Sequence, residues 1–141
     1  MASEIRQAHD ELLALVSALE ELTAVEQPDR DSLAHARWRL SRASGRRFKL
    51  LDDKVYPLLL ARCSAAEAEP VLRLRDAYGG QREATRLHVL RWTIDTIVAD
   101  WAGYKRASAA TRETMRSRIA EEKAVLYPLL DKYAEPVPAI T

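Results

Sequence analysis

The chain has 141 residues, 48% of them hydrophobic and 30% charged, which suits one domain with a single core. Its 22 basic and 21 acidic side chains nearly cancel, which excludes the strong field expected of a nucleic-acid or anionic-lipid binder. Cys63 is the only cysteine, so neither an internal disulfide nor a thiolate metal cage can form. There is no run of about 18 apolar residues and no apolar leader, so a soluble cytoplasmic protein is expected.

Ser3 can cap a first helix running to about Val25, with Ile5, His9, Leu12, Val16 and Leu19 spaced by four and three. Gln27-Pro28-Asp29 ends it. A second helix is expected from about Asp31 to Leu60. Leu33, Ala36, Leu40, Ser44, Leu51 and Val55 form its buried line, Gly45 sits inside it, and Pro57 kinks its last turn. Ser64 and Glu67 form a capping box that opens a short extra helix, stopped by Gly79-Gly80. A third long helix then covers about Gln81 to Trp101. Ala84, Leu87, Ile94, Val98 and Trp101 are its core side and Gly103 its exit. Ser108 or Thr111 caps a fourth helix reaching about Tyr133, striped by Met115, Ile119, Val125, Leu126 and Leu129. The tail Glu135–Thr141, with Pro136 and Pro138, is expected to fray. No stretch alternates with period two for long enough to be a strand. The fold class is therefore all-α, an antiparallel up-down four-helix bundle that takes residues 1–141 as one domain.

The second helix ends in KVYPLLL and the fourth in AVLYPLL. Superposing Pro57 on Pro128 pairs Tyr56 with Tyr127, Leu58 with Leu129, Phe48 with Ile119 and Arg47 with Arg118, an offset of 71 residues. Half the chain is about that long, so the pattern reads as a duplicated helix pair.

Ionisable residues interrupt the apolar stripes. His9 lies on the buried line of the first helix, Arg47 between Ser44 and Leu51 on the second, and Arg118 and Glu122 between Met115 and Val125 on the fourth. His88 lies beside Leu87 on the third. Taken singly, a histidine on an apolar face is ordinarily a hydrogen-bonded core residue, and an arginine at a helix edge snorkels outward. Each long helix shows the same departure, however, and a buried charge must be paired. Convergence into one polar layer is the expected solution, with Arg118 and Glu122 able to pair directly as i, i+4 neighbours.

The two Tyr-Pro endings, His9 within IRQAHDELLALVSALEEL, and the segment EEKAVLYPLL together resemble the hemerythrin or HHE cation-binding family, over about Ser3 to Tyr133. The resemblance implies a four-helix bundle holding two iron ions. The ligands would be an early histidine, an H-x-x-x-E unit on the second helix, histidines on the third, and a histidine with a carboxylate on the fourth. His9 matches the first of these. Arg47 and Leu51 stand where the second helix should carry His and Glu, and Arg118 and Glu122 stand at the corresponding places of the fourth. On the third helix His88 is available, but Ala84 and Trp92, one turn away on either side, cannot ligate. Arginine stays protonated and has no lone pair to give. Two like unit charges about 4 Å apart repel by roughly 4 kcal/mol at an effective dielectric near 20, and a dication roughly doubles that.

The resemblance therefore implies a hemerythrin-like bundle that has lost most of its di-iron ligands. The expected protein is non-enzymatic, binding or regulatory, without a cofactor, with a polar core of Arg47, Arg118, Glu122, His9 and His88 in place of the metal. The partner would be a small anion or another protein. The alternative is an iron protein that binds or senses oxygen or nitric oxide, or stores iron, through His9, His88 and Glu122. No Ser-His-Asp, Cys-His, phosphate-loop or HExxH pattern points to another enzyme class. Neither nucleic acid nor membrane is expected as a partner. Trp38, Trp92 and Trp101 supply apolar area through which a homodimer could form.

Overall fold

The computed structural model describes residues 2–133, and the tail expected to fray lies outside them. Among the described residues the fold is all-α. Helix α1 (Ala2–Thr23) begins ahead of Ser3, which therefore lies inside its first turn and does not cap it. Asp29 caps α2 (Arg30–Leu50), its carboxylate accepting from the Ser32 amide at 3.1 Å.

The second long helix does not run uniformly to Leu60. After Leu50 it opens into a π-helical turn, Leu51–Val55, and resumes as α3 (Tyr56–Arg62). The spacing of the apolar residues explains the wide turn. Arg47, Leu51, Val55 and Leu59 recur every fourth residue, and each such step overshoots a full α-helical turn by about 40°. Three steps would carry Leu59 roughly 120° away from Arg47, and one inserted residue, worth about 100°, restores the alignment. All four side chains are buried. Pro57, which has no amide hydrogen to give, sits in the first turn of α3, where that loss is tolerated.

The capping box forms as expected: the Ser64 hydroxyl accepts from the Glu67 amide at 3.2 Å, and Glu67 accepts from the Ser64 amide at 3.0 Å. Glu67 also takes the Tyr133 hydroxyl at 2.6 Å and the Lys132 ammonium at 2.9 Å. The Tyr133 bond, the Ser64 amide and Lys132 hold its carboxyl down to about 2.

The box opens one long helix, α4 (Ala65–Arg91), and the expected stop at Gly79-Gly80 is overturned. Neither glycine has a positive φ, and a Cβ at either would meet nothing within 4 Å. Nothing there demands a turn, and a helix carries each glycine at about 1 kcal/mol. The break falls at Trp92-Thr93, where the Thr93 hydroxyl accepts from the Thr96 amide at 3.2 Å and starts the short α5 (Ile94–Ala99). Asp100 then caps α6 (Trp101–Tyr133) by accepting from the Gly103 amide at 3.0 Å. A Cβ on Gly103 would stand 2.2 Å from the Asp100 carboxylate, so glycine makes this cap possible. Gly103 thus opens the last helix and marks no exit. Ser108 and Thr111 lie inside it and cap nothing. The short extra helix comes after the third long helix, not before it.

Side-chain pairs set the helix directions. Arg46 meets Glu11 and Lys54 meets Glu4, so α1 and α2 are antiparallel. Arg6 with Asp131 and Arg116 with Glu20 make α1 and α6 antiparallel, and Glu67 with Lys132 and His88 with Thr111 do the same for α4 and α6. The α2 and α4 backbones, by contrast, do not pack closely. Tyr78 reaches the Phe48 carbonyl at 3.4 Å and Asp52 at 2.9 Å, and Arg37 reaches the Val89 carbonyl at 3.3 Å across the gap.

Along α1 the interior reads as layers. Ile5 packs with Leu51, Val55, Leu59, Leu126 and Leu130 at one end. Leu12 and Leu15 meet Ala43 and Ile119 in the middle. Leu19, Leu33, Trp92, Ile97 and Tyr104 fill the other end. Three residues expected in the core, Ala84, Leu87 and Val98, are exposed, Leu87 by 53%. Because α4 is continuous, its phase is set by Val71, fully buried against the first layer. Leu87, sixteen residues on, points about 160° away from it. Trp92 is buried, Trp101 half-buried with its indole donating to the Val25 carbonyl at 3.2 Å, and Trp38 exposed. Among the described residues no helix is long and apolar enough to cross a membrane.

Candidate functional site

Between the first and middle apolar layers the interior turns polar. Here α1 supplies His9, α2 supplies Arg47, and α6 supplies Glu122 and Tyr127. His9, Arg47 and Glu122 are at most 4% exposed. The Arg47 guanidinium grips Glu122 with two bonds, Nε to Oε1 at 2.9 Å and Nη2 to Oε2. His9 Nε2 lies 2.9 Å from Glu122 Oε1, and His9 Nδ1 lies 2.6 Å from the Tyr127 hydroxyl. An ionised carboxylate only accepts, so Nε2 is the donor nitrogen, and in the neutral ring Nδ1 accepts the phenol proton. The chain Tyr127 to His9 to Glu122, closed by Arg47, leaves none of the three central side chains without a partner.

Burial by itself would raise the Glu122 carboxyl, but the hydrogen bonds from Arg47 and His9 and the guanidinium charge outweigh it. The group is held below its ordinary value and stays ionised. Burial pushes the Tyr127 phenol up to about 12, which keeps it a proton donor.

Two residues expected in this layer are elsewhere. Arg118 is half-buried, contacts Glu121 at 3.4 Å, and faces the Gln81 amide, whose oxygen can accept from its Nε at 2.6 Å. It does not pair with Glu122, because both oxygens of that carboxylate are turned towards α1 and α2. His88 meets the Thr111 hydroxyl at 3.4 Å and stacks on Tyr104 with ring centroids 6.2 Å apart. Thr111 precedes Glu122 by eleven residues, about 16 Å along α6, so His88 belongs to a different layer. Burial, helped by Arg37, holds His88 below the ordinary imidazole value.

The sequence reading missed a second buried arginine. Arg112 is 8% exposed, its Nη1 donates to the buried Ser108 hydroxyl at 2.6 Å, and its Nε is buried without a partner. The signal was present: Ser108, Arg112, Met115, Ile119 and Glu122 continue one stripe at spacings of four and three. Placing the start of the last helix at Ser108 or Thr111 cut that stripe short. Tyr127 stands out in the sequence only as half of a Tyr-Pro pair, although it falls one turn beyond Lys123 on the flank facing His9.

Two of the cavities along the gap between α2 and α4 adjoin α6. One of about 190 Å³ lies beside Arg47, Phe48, Gln81 and Arg118. The other, about 60 Å³, lies beside His88, Tyr104, Ser108 and Arg112. Ser44, Thr85, Thr111 and Met115 line both.

As a donor set for iron the polar layer fits poorly. Among the described residues His9 and Glu122 are the only imidazole and carboxylate in it, each already hydrogen-bonded, and the fixed guanidinium charge occupies the carboxylate. Leu51, fully buried, fills the place where the resemblance calls for a second carboxylate. Among the described residues no group of three His, Cys, Asp or Glu side chains is placed to hold a metal ion. The chain matches no family model, no curated protein and no solved structure.

Proposed function

We propose that this chain is a metal-free relative of the hemerythrin-like bundles, an up-down four-helix protein that binds a small anion and catalyses no reaction. The observation that supports this reading most is the closed Tyr127–His9–Glu122–Arg47 network. It lies in the layer where the sequence resemblance calls for two irons. In it the guanidinium takes the part of the cation: it neutralises the carboxylate and holds the facing helices in register, as bound metal would. A buried carboxylate requires some positive partner, and arginine supplies one with fork geometry matched to it. The antiparallel helix pairs and the repeated Tyr-Pro endings favour the same bundle. Arginines lining the adjoining cavities favour an anion over a cation as the bound species.

The test is metal loading. Protein expressed with iron supplementation, and separately offered ferrous iron under anaerobic conditions, is expected to hold no stoichiometric iron by elemental analysis. It should show no near-ultraviolet charge-transfer band. Two irons per chain with such a band would overturn the proposal.

A further inference from the structure

We infer that the space beside Arg112 is a binding site for a small organic monocarboxylate, with the carboxylate on the guanidinium and the apolar body against Leu19, Leu40 and Met115. This deepens the anion-binding role proposed above and rests on it, with the charged head on Arg112 and not on Arg47.

The contrast between the two buried arginines carries the inference. Arg47 has a carboxylate on its fork. Arg112 is also buried, at 8% exposure, yet among the described residues its side chain hydrogen-bonds only to the neutral Ser108 hydroxyl, and its Nε has no hydrogen-bond partner. A fixed cation in such a place calls for an anion. The fold does not supply one to the cavity. From α1, Glu20 attracts Arg112 but spends both oxygens on Arg116, at 3.0 and 3.1 Å. From α2 comes a second cation, Arg37, which donates to the Val89 carbonyl at 3.3 Å. From α4 comes His88, and from α6 Arg112 itself. Among the described residues no carboxylate side chain lines this space.

The rest of the lining selects an organic acid over a bare ion. Leu19, Leu40 and Met115 present hydrocarbon next to the guanidinium. The cavity shares Ser44, Thr85, Thr111 and Met115 with the larger one of about 190 Å³, and the two together give room for a short aliphatic or aromatic body. One charged group at the head and an apolar wall behind it is the usual design of a small-molecule pocket.

The intact chain should be titrated calorimetrically with butyrate, with butylamine and sulfate as separate probes. Butyrate is expected to bind saturably at one site per chain, butylamine not at all, and sulfate without displacing butyrate. Arg112→Gln should weaken butyrate by at least about tenfold. Ser44→Leu, which narrows the shared space and leaves the charge in place, should weaken it as well, and it decides the question if Arg112→Gln does not fold by circular dichroism. The inference is overturned by absence of saturable butyrate binding to the wild type, by equal affinity in the folded variants, or by sulfate competing as well as butyrate. Iron analysis of the same preparation separates the two readings. Iron uptake with Arg112-dependent butyrate binding sinks only the metal-free proposal, and neither iron nor butyrate binding sinks only this one.

Discussion

Arg47 and Arg118 lie 71 residues apart, each ten residues ahead of a Tyr-Pro proline and each four ahead of the next residue of its stripe. One is buried against a carboxylate, and the other lies half-exposed beside a glutamine. The helices carrying them differ in one respect. The first contains the π turn Leu51–Val55, whereas α6 runs as an uninterrupted α-helix from Trp101 to Tyr133. In both, the buried residues of the last turns recur every fourth position: Leu51, Val55 and Leu59 in one, Glu122, Leu126 and Leu130 in the other. Without a wide turn the accumulated overshoot moves the residue twelve positions back, Arg118, off the buried line. Ile119 takes its place inside, at 1% exposure. A single inserted residue in the turn therefore decides which arginine becomes a core ion and which stays at the rim.

This contrast can be broken at its strongest point first. Glu122→Gln leaves Arg47 buried without a carboxylate and should cost about 3–5 kcal/mol in urea denaturation. A loss under about 1 kcal/mol would mean that the guanidinium finds another partner. The same carboxyl sets an acid limb. Its folded pKa lies below the ordinary 4.5, so the stability it contributes is complete above that value and is lost as pH falls through the folded value. Glu122→Gln should flatten this part of the stability profile below the ordinary value, and an unchanged acid limb would contradict the assignment.

Next in size, Arg47→Met should cost about 3 kcal/mol, and Arg118→Met at the equivalent position within about 0.5 kcal/mol. Equal losses would remove the distinction between the two helix ends. Within the network itself, the smallest effect is at the rim. Tyr127→Phe deletes one hydrogen bond to His9 and should cost about 1 kcal/mol, read from the denaturation midpoint at constant slope.

Much of this arrangement is legible along the chain. The four-and-three spacing of Ile5, His9, Leu12, Val16 and Leu19 puts His9 inside, and all five are buried. The capping box at Ser64 and Glu67 forms with both its bonds. The convergence of His9, Arg47 and Glu122 follows from the requirement that a buried charge be paired. The differences have a common origin, in that local signals do not carry the phase that a residue inherits from neighbouring turns. Gly79-Gly80 reads as a stop, yet a helix anchored on both sides runs through it. Leu87 reads as core, yet Val71 has already fixed the opposite face. Arg118 and Glu122 are one turn apart on the same helix, yet the carboxylate turns to the guanidinium that crosses from α2.

The sequence by itself determined the helical class and the ionisable residues that interrupt the apolar stripes. These depend on side-chain chemistry and on periodicities of three and four, which a linear chain displays. Only the tertiary structure decided that Arg47 and not Arg118 reaches Glu122, that His88 falls in a separate layer, and that Arg112 is buried with part of its guanidinium unmatched. Those outcomes depend on helix phase accumulated over several turns and on which helices approach closely. Neither quantity is local to any stretch of residues.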